Sequence, residues 1–218
     1  MKVKIFFTAR FLLATLLLFY NCSNNNLTKQ KEPNIVIVLL DDMGYGDIES
    51  FGAINYSTPN INRLADDGML FTNFYSAQAV CSASRAGLLT GTYPNRIGIH
   101  GALSPGSKIG LNTNEKTIAE VLKEKNYKTA VIGKWHLGHQ KEFLPLNHGF
   151  DYYYGIPYSN DMWPVDFDGN QIIDTNNWKK KYYPQLPIIE NFNKVAEVKT
   201  LDDQAELTTL YTEKSVEF

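Results

Sequence analysis

The chain has 218 residues, 44% of them hydrophobic, which is enough for one sizeable α/β core and unlike a disordered or fibrous chain. With 21 basic and 23 acidic residues its net charge is −2, which excludes the broad basic surface that nucleic acid or an anionic membrane face would need. Any anion recognition must therefore be local.

Met1-Lys2-Val3-Lys4 is basic, residues 11–20 are almost wholly apolar, and Cys22-Ser23-Asn24-Asn25-Asn26 is abruptly polar, the order of an export signal. The apolar stretch falls short of the about 20 residues of a comfortable transmembrane helix. A cysteine directly after it resembles the lipidated cysteine of bacterial lipoproteins, although Asn21 stands where such signals usually carry a small residue. Residues 1–22 are expected to be a signal peptide of lipoprotein type with Cys22 as the lipidation site, and residues 23–33 a flexible tether. The protein is then exported, in the bacterial cell envelope or periplasm and held at the membrane; ordinary secretion and a retained anchor are the alternatives. Because one of the two cysteines lies at the processing boundary and the other, Cys81, in a motif, no disulfide is expected.

From residue 34 the pattern is α/β. Residues 34–40, Asn-Ile-Val-Ile-Val-Leu-Leu, form an unbroken aliphatic run, the pattern of a strand buried on both faces of a parallel sheet, and end in Asp41-Asp42. Ligands in open α/β sheets gather beyond the carboxyl ends of strands. Thr58-Pro59 opens a helix with Ile61, Leu64 and Ala65 on one face and Gly68 as its stop, and residues 69–77 read as a second extended segment. A helix over residues 113–126 leads into a core strand at 129–133, followed by Lys134-Trp135-His136-Leu137-Gly138. If the chain stays extended there, Lys134 and His136 point the same way. Residues 143–199, rich in Tyr, Trp, Pro and Asn, read as loops and short elements around the mouth of a site, and Tyr152, Tyr153, Tyr154 and Trp163 read as packing more than as a sugar-stacking platform. Residues 201–218 are helix-like, with Leu207, Leu210 and Tyr211 on one face, and the pattern is still running at Phe218.

The chemistry concentrates in Cys81-Ser82-Ala83-Ser84-Arg85-Ala86-Gly87-Leu88-Leu89-Thr90-Gly91. A cysteine at a helix start, an arginine one turn later and a terminal glycine make an anion site with a reactive sulfur. Taken alone, Cys81 is a buried inert thiol and Asp41-Asp42 a capped turn; placed after a strand, the two acids repel each other and a hard divalent cation relieves that repulsion. A cysteine-dependent phosphatase loop fails on spacing, because its arginine would fall at Gly87.

Cys81-Ser82-Ala83-Ser84-Arg85 with Leu89-Thr90-Gly91 resembles the signature of the type I sulfatases, whose cysteine is oxidised to formylglycine. Asn34 to Gly46, Thr58-Pro59-Asn60-Ile61, Gly91-Thr92-Tyr93-Pro94-Asn95-Arg96, Gly133-Lys134-Trp135-His136-Leu137-Gly138 and Gly155-Ile156-Pro157-Tyr158-Ser159-Asn160-Asp161 are similar to arylsulfatase blocks, in family order. Ala83 replaces the more frequent proline. The resemblance implies an alkaline-phosphatase-like α/β domain with a mixed, mostly parallel sheet sandwiched by helices, of which residues 34–218 are the N-terminal portion. It implies Asp41, Asp42 and the modified Cys81 as ligands of Ca²⁺, with Mg²⁺ the lesser fit. Arg85 then holds the formylglycine hydrate, Lys134 contacts hydrate and sulfate, His136 stands beside the second hydroxyl, and Ser159 contributes to the substrate site.

In that chemistry one hydroxyl of the hydrate attacks sulfur and expels the alcohol; removing the proton of the other re-forms the aldehyde and releases sulfate. The implied activity is that of a sulfuric ester hydrolase of the cell envelope acting on a sulfated small molecule or polysaccharide, after activation by a formylglycine-generating enzyme or radical maturase. The family also uses a later Asp-Asn or Asp-Gln pair on the metal, a histidine near the leaving group and a second lysine on the sulfate; no histidine follows His148, and Asp202-Asp203-Gln204, which offers an Asp-Gln pair, opens a helix without the family's glycine context. The alternatives are an inactive truncated product and a phosphodiesterase or phosphonate hydrolase of the alkaline phosphatase superfamily.

Overall fold

A parallel pair of strands sets the frame. In the computed structural model, which describes residues 32–173 and 178–218, β1 (Ala130–Ile132) pairs in parallel with β2 (Tyr152–Gly155), Ala130 opposite Tyr152 and Ile132 opposite Tyr154. The expected signal peptide, Cys22 and most of the tether lie outside the described residues. β2 continues antiparallel to β3 (Leu186–Glu190), and β3 to β4 (Asn193–Val198), giving a four-stranded mixed sheet in the order β1-β2-β3-β4. Around it stand the helices α1 (Pro59–Asp67), α2 (Cys81–Thr90), α3 (Ile118–Lys123), α4 (Trp178–Lys181), α5 (Leu201–Ala205) and α6 (Leu207–Glu217). Among the described residues no helix is long and apolar enough to cross a membrane.

The core follows from strand alternation. Tyr153, fully buried, belongs to a cluster with Ala83, Ala86, Trp135 and Leu137, while Tyr154 belongs to a second cluster with Ile156, Trp163, Leu186 and Leu207. Successive side chains on a strand leave by opposite faces, so β2 is covered on both. These aromatic rings are therefore packing, and Tyr153, Tyr154 and Trp163 offer no platform to a sugar. Leu207, Leu210 and Tyr211 seat α6 on the second cluster, as their spacing indicated.

Three expectations are corrected. Residues 34–40 form no strand and are exposed, Val36 by 85% and Val38 by 77%. A run apolar on both faces becomes a buried strand only with neighbours to pair with, and no strand pairs with it among the described residues. Residues 69–77 likewise form no strand, leaving Phe71, Phe74 and Tyr75 exposed. Conversely, residues 143–199 hold three of the four strands. Pro187 obscured β3, because proline demotes a run read as a central strand; here the β2–β3 ladder involves only Ile189 and Glu190, and Pro187 lies beyond it. In α1, Thr58 and Gly68 bound the helix as read, but Leu64 is exposed and the apolar face only half seated.

The start of α3 carries a capping box. Thr117 Oγ1 accepts from the Glu120 amide at 3.3 Å, Glu120 Oε2 accepts from the Thr117 amide at 2.7 Å, and the same Thr117 hydroxyl donates to the His148 carbonyl at 2.7 Å. This buried hydroxyl ties the helix to the turn that precedes β2. Thr117→Val is expected to lower stability by about 1–2 kcal/mol, read from urea denaturation midpoints; an unchanged midpoint would show that the box is redundant with the packing of Ala119.

Candidate active site

The site is assembled where β1 and β2 end. Beyond their ladder the two segments stay paired: the Gly133 amide donates to the Tyr154 carbonyl at 2.8 Å, Trp135 to Ile156 at 2.9 Å and His136 to Pro157 at 3.1 Å. They approach so closely that a Cβ on residue 155 would stand 1.8 Å from the Gly133 carbonyl oxygen, which is why glycine occupies that position. Lys134 and Ser159 are thereby carried to the carboxyl ends of two parallel strands, where α/β sheets gather ligands. The Lys134 ammonium donates to Ser159 Oγ at 3.1 Å and to Asp41.

Helix α2 supplies the opposite wall. Gly91 ends it in the left-handed conformation (φ 64°) with its amide on the Gly87 carbonyl, and small Ala83, Ala86 and Gly87 let it pack closely; a Cβ on Gly87 would meet that of Ala77 at 2.7 Å. Ser82, fully buried, accepts from the Leu103 amide at 3.0 Å. With its first turn thus held, Cys81 Sγ lies 3.9 Å from Asp41 Oδ2. Arg85 donates from Nη1 to the Lys134 carbonyl at 2.5 Å and from Nη2 to Asp41 Oδ1 at 3.2 Å.

Asp41 is thus gripped by two cations. Burial alone would raise its pKa, but the Lys134 ammonium and the Arg85 guanidinium more than offset this and hold it below the usual carboxylate range. One donor atom each from Asp41, Asp42 and Cys81 lies within 4.8 Å of the others, the spacing of a metal's protein ligands. Asp42 adopts φ 56°, a left-handed backbone that Asp tolerates better than most residues, and this turns the chain directly after Asp41.

His136 departs from the expected geometry. The chain leaves the extended conformation there (φ 58°), so the period-two relation to Lys134 does not apply. The residue is only 1% exposed, and Nε2 faces the Leu103 carbonyl at 2.8 Å. A carbonyl can only accept, so Nε2 carries the proton and, in the neutral ring, the buried Nδ1 keeps a lone pair without a protein partner. Burial lowers the His136 pKa to about 4, and Lys134 and Arg85 push it the same way, against the Leu103 hydrogen bond and Asp41.

Asp41, Cys81, Arg85, Lys134 and Ser159 are therefore joined by direct contacts, Asp42 stands beside them and His136 lies in their electrostatic field; Cys22 lies outside the described residues. Residue-type reading missed the partners that orient them. The Leu103 carbonyl is backbone and leaves no mark in a sequence, and Ser82 stands out in the sequence only as part of the motif.

A family model described as Sulfatase matches residues 33–208. Arylsulfatase G of Mus musculus is 42% identical over 203 residues, covering 88% of this chain and 38% of that protein. N-acetylgalactosamine-6-sulfatase of Homo sapiens is 38% identical over 197 residues, covering 85% of this chain and 36% of its own length. The crystal structure of PsFucS1 sulfatase from Pseudoalteromonas sp. superimposes with a TM-score of 0.70 at 33% identity over 89% of this chain and 42% of that one. The chain thus spans about two fifths of the length of these relatives, and its mixed sheet with helices is part of their alkaline-phosphatase-like fold. With the sequence blocks, the fold and 176 matched residues (33 through 208) in agreement, the chain belongs to the sulfatase family.

Proposed function

We propose that this chain carries part of the catalytic site of a sulfuric ester hydrolase whose nucleophile derives from Cys81. The observation that carries the reading is the convergence of Arg85 from α2 and Lys134 from the end of β1 on Asp41, beside the Cys81 sulfur. Two cations of fixed direction at a strand end suit the oxygens of a tetrahedral oxyanion, and membership of the sulfatase family favours a sulfate ester.

The donor set fits a cation and points to the modification. Two carboxylates suit a hard cation such as Ca²⁺ better than a soft metal; a cysteine sulfur is a poor third donor for it, whereas an oxygen at the same position is a good one. Asp41, Asp42 and residue 81 would hold the ion, which when bound neutralises charge on the sulfate oxygens. Formylglycine at position 81 would supply, as its hydrate, one hydroxyl to attack sulfur and a second whose deprotonation lets sulfate leave.

The protein's own groups do the rest. Arg85 and Lys134 bind and orient the sulfate, and Ser159 holds the Lys134 ammonium in direction. His136, with Nε2–H fixed on the Leu103 carbonyl, presents Nδ1 as the atom able to take a proton. A sulfate beside Lys134 and Arg85 cancels part of the positive field that lowers the His136 pKa, so binding raises its basicity when it is needed.

The substrate class in this reading is a sulfated saccharide, since one relative is named N-acetylgalactosamine-6-sulfatase. Export and lipid anchoring through Cys22 belong to the same proposal, with the basic, apolar and polar order of residues 1–26 as support. The test is coexpression of the complete reading frame with a formylglycine-generating enzyme, peptide mass analysis at residue 81, and paired rates on matched aryl sulfate and aryl phosphate. Aldehyde at 81 and a sulfate preference lost in Cys81→Ala are expected. An intact thiol in the native host overturns the modification, and a clear phosphate preference overturns the substrate class.

A further inference from the structure

Gln204, in the Asp202-Asp203-Gln204 run, lies one turn into α5; its backbone takes part in the helix's hydrogen bonds, but its side chain caps neither end. The N-terminus of α5 is already capped by Thr200 Oγ1, which accepts from the Asp203 amide at 3.1 Å, and by Asp203 Oδ2, which accepts from the Thr200 amide at 3.0 Å. The Gln204 side chain instead reaches 44 residues back along the chain. Its Nε2 donates to the Asn160 carbonyl at 2.8 Å, and its Oε1 accepts, at 3.5 Å, from Asn160 Nδ2. Asn160 follows Ser159, whose own carbonyl accepts the Met162 amide at 3.0 Å and whose Oγ receives the Lys134 ammonium.

The frame behind Gln204 is firm. Val198 before α5 and Leu207 after it are both buried in the core cluster that also contains Tyr158, the residue preceding Ser159. The turn after Ser159, by contrast, is exposed at Asn160 and Asp161. A side chain anchored on the rigid side and bonded to a backbone carbonyl on the loose side fixes where that turn sits.

We infer that Gln204 is a positioning residue: by clamping the Asn160 carbonyl it holds the Ser159 turn, and through Ser159 Oγ the direction of the Lys134 ammonium. Its functional meaning rests on the reading that Lys134 binds sulfate. The clamp itself does not depend on that reading, so the two can fail separately.

The test compares wild type with Gln204→Met, which keeps length and helix propensity and removes both hydrogen bonds. Amide hydrogen exchange at Met162 is expected to rise about 3- to 10-fold, the range one net hydrogen bond supports, while the amides of Gly133 and Trp135 keep their protection. Asn160→Ala, which removes only the longer bond, is expected to change Met162 less. Unchanged exchange at Met162, a uniform rise along the chain, or a larger effect from Asn160→Ala would each overturn the clamp. Titration with inorganic sulfate adds the functional arm: Lys134→Met and Gln204→Met should both weaken binding, Lys134→Met more. Binding indifferent to Lys134→Met sinks the sulfate reading and leaves the exchange result standing; binding lost in Lys134→Met but untouched in Gln204→Met overturns the positioning role.

Discussion

Asp41→Ala is expected to lower stability by about 2–3 kcal/mol and to abolish divalent-cation binding. Arg85 and Lys134 expose only 12% and 9% of their side chains, so removing the carboxylate between them leaves two positive charges facing each other away from solvent. Breaking a fully buried pair costs about 3–5 kcal/mol, and the expected loss falls at or just below the lower limit of that range because Asp41 itself is 34% exposed and water screens part of the field. Asp42→Asn is the contrast. It keeps a residue that tolerates φ 56°, removes a charge from an exposed position, and is expected to cost less than about 1 kcal/mol while still weakening the cation. Urea denaturation and calorimetric titration with Ca²⁺ separate the two effects. A stable Asp41→Ala protein with unchanged calcium affinity would mean that neither the charge cluster nor the ligand assignment is right.

A second large effect is a loss of stability on mild acidification, traced to His136. Its folded pKa is depressed to about 4 from an ordinary 6.5, so the unfolded chain binds the proton more readily than the folded one. The stabilisation is therefore complete above about pH 6.5 and is lost as pH falls toward 4; between pH 7 and pH 5 the loss is about 2 kcal/mol. His139 and His148 are lowered by burial and act with the same sign, whereas the depressed Asp41 contributes only below its usual carboxylate value and stays out of this window. The difference in pH slope between wild type and His136→Asn, measured as denaturation free energies at pH 5 and 7, isolates the residue. Equal slopes would show that the ring is solvated or already charged in the fold.

The sequence made the site readable because each of its parts is a local device. Cys81 to Gly91 states its helix with an arginine one turn in and a left-handed glycine stop, and Lys134 and His136 follow directly on the β1 run. What stayed hidden depends on pairing between distant segments. The β3–β4 hairpin has weak alternation and a proline in its first strand, and its partner Gly155 lies some thirty residues earlier. The run at 34–40 shows the converse: its residues have every local property of a buried strand, yet burial needs neighbours that the run cannot supply for itself.

Residue identity and short-range spacing by themselves determined the family, the helix that carries Cys81 and Arg85, and the set of side chains proposed to hold a sulfate and a cation. Tertiary structure decided how they are aimed. Only the close crossing at Gly133 and Gly155 carries Lys134 to Ser159, only the Leu103 carbonyl fixes which nitrogen of His136 is free, and only the fold brings Gln204 to Asn160. Hydrogen bonds to backbone carbonyls leave no side-chain signature, and direction in an active site is set largely by such bonds.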